Sequence, residues 1–360
     1  MYVITNREIL RNKTGLKQFG ASVNSKGPNE LRVAKVDRYG RGYKVTLLED
    51  KLPQARAKEL IEMHKLDLDQ EAQHWISLEV AIDVTQRARK NNSHVLFFVH
   101  GFNNDINDVV KRAFYLQDQY GIEVIPFTWP ANGGGAAGVI SYKSDKRDAR
   151  ASTGALERTL KIMREHFVLI NEGQQRKLLE QATKKHPDNL EAREILYSRL
   201  LEKECPFSFN AMFHSMGNYL LKQMLKSSIC EGNDLTFDNV VLVAADTNNE
   251  EHKEWVDTIK FRKRLFITIN EDDVALKASR AKFGSNQLAR LGHYLRGLDS
   301  TSAHYINFTR ASWVKKSHAY FEEPSEKNEN VKAFFERAFK GEPAEEDLRF
   351  QSEGNWYEVS

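Results

Sequence analysis

The stretch His214-Ser215-Met216-Gly217-Asn218 interrupts the apolar run FNAMFHSMGNYLLKQML at residues 209–225. Before it the apolar residues are continuous, as in a buried strand; after it they recur at helical spacing. A serine on a tight turn between a buried strand and a helix has its hydroxyl lifted above the carboxyl edge of a sheet. There the helix N-terminus turns backbone N–H groups toward developing negative charge. Such a serine suits attack on an acyl carbonyl. Its hydroxyl is a weak nucleophile, so it also needs a base within hydrogen-bond reach and donors for the oxyanion.

For the donors, HGFNN at 100–104 closes an earlier apolar run. Gly101 there permits a sharp turn that aims the amide of Phe102 at the same carbonyl as the amide of Met216. For the base, the chain order serine, acid, histidine predicts a carboxylate after a later strand and a histidine after the last one. KRLFITIN empties into Glu271-Asp272-Asp273, and SHAYF supplies His318. Asp273 is the expected acid, with Asp272 as an alternative, because adjacent residues at a strand end cannot both face one site. Asp246, ending VVLVAAD, is a rival, since the acid can also come from the preceding strand. His304 falls inside a strand and His293 in a helical stretch, which suits packing or surface. His214 diverges from its neighbour Ser215, and His100 shapes the oxyanion loop.

The elements that would position these residues follow from periodicity. SHVLFFVHGF, GIEVIPFTWP, PFSFNAMFHS, DNVVLVAAD and KRLFITINEDD are short apolar runs suited to strands buried on both faces, and AHYINFT is a sixth. Helical patterns at 104–120, 153–170, 218–227 and 274–290 alternate with them, which argues for βαβ crossovers and a mostly parallel, doubly wound α/β sheet. Residues 1–50 read as strands, and the pattern from Pro53 to Asn91 as helical; together 1–90 form a β-rich extension plus helix packed on the core. Residues 171–205, balanced in charge and divided by Pro187, read as a helical hairpin inserted into a core of residues 91–345. Residues 346–360 are left as a tail. Val331, Phe334, Phe335 and Ala338 share one face of a helix, the mark of core packing.

In these motifs the chain resembles the α/β-hydrolase superfamily, and more narrowly a bacterial α/β-hydrolase domain family of uncharacterised function. The matching features are HGFNN, FTWP at 127–130, HSMGN, DVAL at 273–276, RLG at 290–292 and SHAYF, spread over residues 94–340 without 171–205. The resemblance implies an α/β-hydrolase fold with Ser215 as nucleophile, Asp273 as acid and His318 as base. It also makes Tyr142 and Asp145 structural anchors of the loop after FTWP. Where the family has Gly or Ala two residues before the serine, this chain has Phe213, whose ring requires a local accommodation.

Composition narrows the rest. With 53 basic against 50 acidic residues, no excess field exists to gather nucleic acid or an anionic membrane surface. Cys205 and Cys230 make no disulfide framework and are expected to be reduced. The N-terminus lacks a secretory signal pattern, and no run approaches the roughly 18 apolar residues of a membrane span, so a cytoplasmic protein is expected. The eleven histidines show no HExxH, HxH or CxxC spacing, so neither metal nor cofactor is expected. Gly133, Gly134 and Gly135 lack the Gly-Lys-Ser/Thr ending of a phosphate loop and read as a substrate-shaping loop. The expected partner is a small acyl substrate, and the expected function is that of a serine esterase. An acyltransferase, and a non-catalytic interaction protein using 171–205 as a binding surface, are the alternatives.

Overall fold

The computed structural model describes residues 1–131, 138–204, 207–227, 237–280 and 288–360. Gly133–Gly135, Cys205 and Cys230 lie outside the described residues.

The apolar runs become strands sandwiched between two cores. Val95, Phe97 and Val99 pack into one core and Leu96 and Phe98 into the other, on opposite faces of the sheet. Successive side chains of a strand point to opposite faces, so a strand covered on both sides needs an apolar residue at every position.

The N-terminal region carries β1 (Tyr2–Thr5), β2 (Arg7–Ile9), β3 (Phe19–Val23), β4 (Arg32–Tyr39) and β5 (Gly42–Leu47), then α1 (Gln54–His64) and α2 (Ile76–Lys90). Alternating elements follow: β6 (Val95–Val99), α3 (Ile106–Tyr120), β7 (Glu123–Thr128), α4 (Gly138–Ala151), α5 (Thr153–Lys185), α6 (Leu190–Glu204), β8 (Phe209–His214), α7 (Met216–Leu225) and β9 (Asn239–Val243). The chain continues through α8 (Lys253–Val256), β10 (Arg264–Ile269), α9 (Val274–Arg280), β11 (Ala303–Asn307), α10 (Glu323–Lys327), α11 (Glu329–Phe339), β12 (Arg349–Gln351) and β13 (Trp356–Glu358).

The main sheet has the order β12-β13-β11-β10-β9-β8-β6-β7-β1-β4-β5. From β13 to β1 every neighbouring pair is parallel. Within this sheet, among the described residues, antiparallel pairs occur at the two margins, β4 and β5 on one and β12 on the other, while β2 and β3 pair antiparallel in a sheet of their own. From β6 the chain first moves outward to β7, then returns to the other side of β6 for β8. This reversal opens a crevice above the carboxyl ends of β6 and β8, the place where open α/β sheets bind ligands.

Helices cover both faces, with α2, α5 and α7 contributing to one core and α3 and α11 to the other. α3 starts at a capping box of Asp105 and Asp108 and ends at Gly121 in the left-handed conformation. Val331, Phe334, Phe335 and Ala338 of α11 are buried as their spacing predicts, each phenylalanine contributing roughly 1.5–3 kcal/mol of burial.

Several segments differ from expectation. α5 runs unbroken to Lys185, so the first arm of the hairpin continues the helix expected to end at Ile170; Gln, Glu, Lys and Leu sustain a helix there, and Pro187 follows its end. The helical pattern from 53 to 91 divides into α1 and α2, because Lys65 caps α1 in the left-handed conformation. The helix expected over 274–290 has its described part in α9, and Arg290 is instead extended in a bridge with Asn248. Residues 346–360 carry β12 and β13, and residues 1–50 place β1, β4 and β5 in the main sheet.

Candidate active site

Ser215 sits between β8 and α7 with φ 53° and ψ −119°, a conformation that costs a non-glycine residue about 1–3 kcal/mol and persists only where surroundings impose it. The surroundings do so here. Its N–H donates to the Val243 carbonyl at 2.9 Å, and its own carbonyl accepts from the amides of Asn218 at 3.1 Å and Asp246 at 3.2 Å. The buried Asn218 side chain donates to the carbonyls of Phe213, Ser215 and Val243. Asn218 belongs to the HSMGN motif, yet motif reading assigned it no role, because its bond to Val243 ties the turn to a strand 25 residues away.

Two glycines make the turn sterically feasible. A Cβ on Gly217 would lie 2.8 Å from the Val99 carbonyl oxygen, and one on Gly101 would lie 2.6 Å from Ser215 Cβ. The close backbone approach therefore falls after the serine, at Gly217. Phe213, two residues before it, is buried in the core with Phe97 and Leu242 and leaves the strained turn intact.

The loop at 100–104 is held by hydrogen bonds to its peptide planes. His100 Nδ1 donates to the Gly101 carbonyl at 2.9 Å, and its Nε2 accepts from the Trp129 amide at 3.2 Å. In a trans peptide the carbonyl and the following N–H point in opposite directions, so holding the Gly101 carbonyl orients the amide of Phe102. Burial, reinforced by the charge of Arg7, lowers the His100 pKa to about 3, so the ring is a neutral strut. Asn104 Nδ2 grips the Phe102 carbonyl at 2.6 Å, and Asp145 of α4 accepts from the Asn103 amide at 3.3 Å. The Met216 amide opens α7, among the first N–H groups of a helix, which have no partner within it.

Asp273 is fully buried. Its Oδ1 accepts from the amides of Ala275 and Leu276, capping α9, and its Oδ2 accepts from His318 Nδ1 at 2.6 Å. An ionised carboxylate can only accept, so Nδ1 carries a proton, which in the neutral imidazole leaves the lone pair on Nε2. Ser215 and His318 line one cleft of about 810 Å³ together with Phe102, Tyr142, Leu276 and Asp246. Ser215 Oγ makes no hydrogen bond with another described residue.

Asp272 is exposed and does not line the cleft. Asp246 lines the cleft with both oxygens engaged: Oδ2 accepts from Tyr142 at 2.9 Å, and Oδ1 accepts from Ser279 at 2.6 Å and lies 3.1 Å from Arg290 Nε. Burial first, then the Asp246 charge, raises the Tyr142 pKa, keeping the phenol a donor. His304 lies in β11 and His293 in a short 3-10 turn, Leu291–His293. Two positioning groups were missed in sequence. His214 Nε2 donates to the His318 carbonyl at 3.0 Å, and Asn270 Nδ2 donates to the carbonyls of Lys315 and Ser317. Burial, then the neighbouring His318, holds the His214 pKa well below the usual histidine value.

No three His, Cys, Asp or Glu side chains cluster as a metal ion requires among the described residues, and none of their helices is long and apolar enough to cross a membrane. Residues 74–170 and 190–313 match the model of a family described as alpha/beta hydrolase of unknown function (DUF900). The match omits β1–β5 and α1, the second half of α5 with the turn that follows it, and everything after residue 313, His318 included. No curated protein and no solved structure matches the chain. The matched stretches cover more than half of the chain and contain the elbow, the loop at 100–104 and Asp273, and the protein belongs to this family of alpha/beta hydrolases.

Proposed function

We propose that the protein is a serine hydrolase that cleaves a carboxylic ester or related acyl compound. Ser215 Oγ attacks the acyl carbonyl while His318 Nε2 takes its proton, and the Asp273 carboxylate stabilises the resulting imidazolium and keeps its orientation. The amides of Phe102 and Met216 hold the tetrahedral oxyanion. Collapse breaks the bond to the leaving alcohol, which takes the proton from His318. Water then repeats the sequence on the acyl-enzyme, releasing the carboxylic acid and restoring Ser215.

The observation that carries this reading is the 2.6 Å His318–Asp273 pair opening on the same cleft as a serine held at φ 53°. The test is labelling by a fluorophosphonate probe combined with turnover of p-nitrophenyl acetate. Wild type should label and turn over; Ser215→Ala should do neither. Persistent labelling of Ser215→Ala, or ester cleavage no faster than that variant's, removes the proposal. Diversion of the acyl group to an added alcohol in preference to water would identify an acyltransferase.

A scaffold-only reading draws on one observation. Leu179, Leu190 and Ile195 of the α5–α6 hairpin are about half exposed or more, at 46%, 68% and 48%. Such apolar exposure suits a protein partner, and this reading takes precedence if Ser215 proves unreactive.

A further inference from the structure

Arg7 lies in β2, outside the stretches that match the family, and is 2% exposed. No carboxylate forms an ion pair with it among the described residues. A guanidinium buried without a directly paired carboxylate is costly unless its donors are satisfied; the charges of Asp105 and Asp145 favour it from a distance, and oxygens satisfy its donors. Nε donates to Thr128 Oγ1 at 3.0 Å, Nη1 to the Gly20 carbonyl at 3.2 Å, and Nη2 to the carbonyls of Asn104 at 3.1 Å and Ala131 at 3.3 Å.

These acceptors lead to the oxyanion loop by two routes. Guanidinium has no lone pair to offer, so Thr128 Oγ1 must accept from it and turn its own proton elsewhere. That hydroxyl lies 3.2 Å from His100 Nε2, whose single lone pair it shares with the Trp129 amide in a three-centre arrangement. The donor direction therefore runs Arg7 to Thr128 to His100 and, through His100 Nδ1, to the Gly101 carbonyl, whose peptide carries the Phe102 amide. The second route is shorter: Arg7 holds the Asn104 carbonyl, and the Asn104 side chain holds the Phe102 carbonyl. The register of β1 beside β7, with Thr5 opposite Thr128, brings the N-terminal strand to this point.

We propose that Arg7 is a positioning residue for the oxyanion loop, so that the N-terminal strands complete the catalytic site. The proposal rests on the serine hydrolase reading for its kinetic consequence, but not for its structural one. Two measurements separate them: steady-state kinetics with p-nitrophenyl acetate, and hydrogen–deuterium exchange at residues 100–107. Both are made on the full chain carrying Arg7→Lys and Arg7→Met. Lysine keeps the charge but cannot span four acceptors.

In folded variants, kcat should fall about 10- to 100-fold with KM changed less than about twofold, since misaligned oxyanion donors are felt in the transition state. Exchange at 100–107 should quicken while β8 and β9 stay protected. Arg38→Ala, which removes an exposed arginine paired with Asp118, should alter neither. If the Arg7 variants do not fold, Thr128→Val, which deletes only the relaying hydroxyl, should show a smaller version of the same split. Unchanged exchange at 100–107, or a raised KM with unchanged kcat, overturns the proposal. Faster exchange in a protein whose wild type cleaves no ester would support the positioning role and sink the hydrolase reading alone.

Discussion

Asp246 and Asp273 follow neighbouring parallel strands, β9 and β10, and both are almost fully buried, yet their partners differ in kind. Asp273 spends one oxygen on two backbone amides and the other on an imidazole that opens to the cleft. Asp246 spends both on Tyr142, Ser279 and Arg290, groups that join α4, α9 and the Arg290 bridge. Equal burial and equal chemistry thus yield two different assignments. A carboxylate facing a titratable ring can serve proton transfer, whereas one facing a guanidinium and hydroxyls serves to hold walls together.

Substitutions can break or sharpen this contrast. The largest effect is expected at the ring itself: His318→Ala should lower kcat by about 10⁴-fold or more in ester cleavage, because triad members act as a unit. Next, Asp273→Asn should lower kcat by roughly 10³- to 10⁴-fold with little change in KM, since an amide no longer enforces the Nδ1–H tautomer. Asp246→Asn should spare most of kcat and instead cost roughly 3 kcal/mol in urea unfolding, because it removes the carboxylate charge that faces the buried Arg290 guanidinium. A reversal, with Asp246→Asn inactive and Asp273→Asn active, would exchange the two assignments. Asp272→Ala, at an exposed side chain, should stay within about 0.5 kcal/mol of wild type and keep its activity.

A smaller effect concerns pH. His100, with its pKa lowered to about 3, and His214, held well below the usual value, remain neutral when folded. An unfolded histidine titrates near 6.5. Between about pH 6.5 and 4 the unfolded state therefore binds protons that the folded state refuses, and stability falls as pH falls through this window. Urea midpoints should be lower at pH 5 than at pH 7. A midpoint equal or higher at pH 5 would mean that these imidazoles accept protons in place.

The elbow was legible because HSMGN interrupts a strand-like run and restarts as a helix, a purely local change of period. The α/β class was legible for the same reason, since strands such as VLFFV and NVVLV carry no polar face. Arg7 was not: nothing in REI marks an arginine whose four acceptors lie 13 to 124 residues away. His214 and Asn270 escaped similarly, as each acts by donating to a carbonyl, and carbonyls are present at every residue. The tail at 346–360 was missed because strands as short as β12 and β13 leave too few residues to show a period.

By itself the sequence determined which segments would be buried strands and helices, and which serine stands at a strand–helix junction, because periodicity and turn chemistry act over a few residues. Only the tertiary structure decided which aspartate meets His318, that Gly101 and Ser215 abut, and that the first strands of the chain reach the loop at 100–104. Those outcomes depend on strand order and register, which bring together groups distant along the chain.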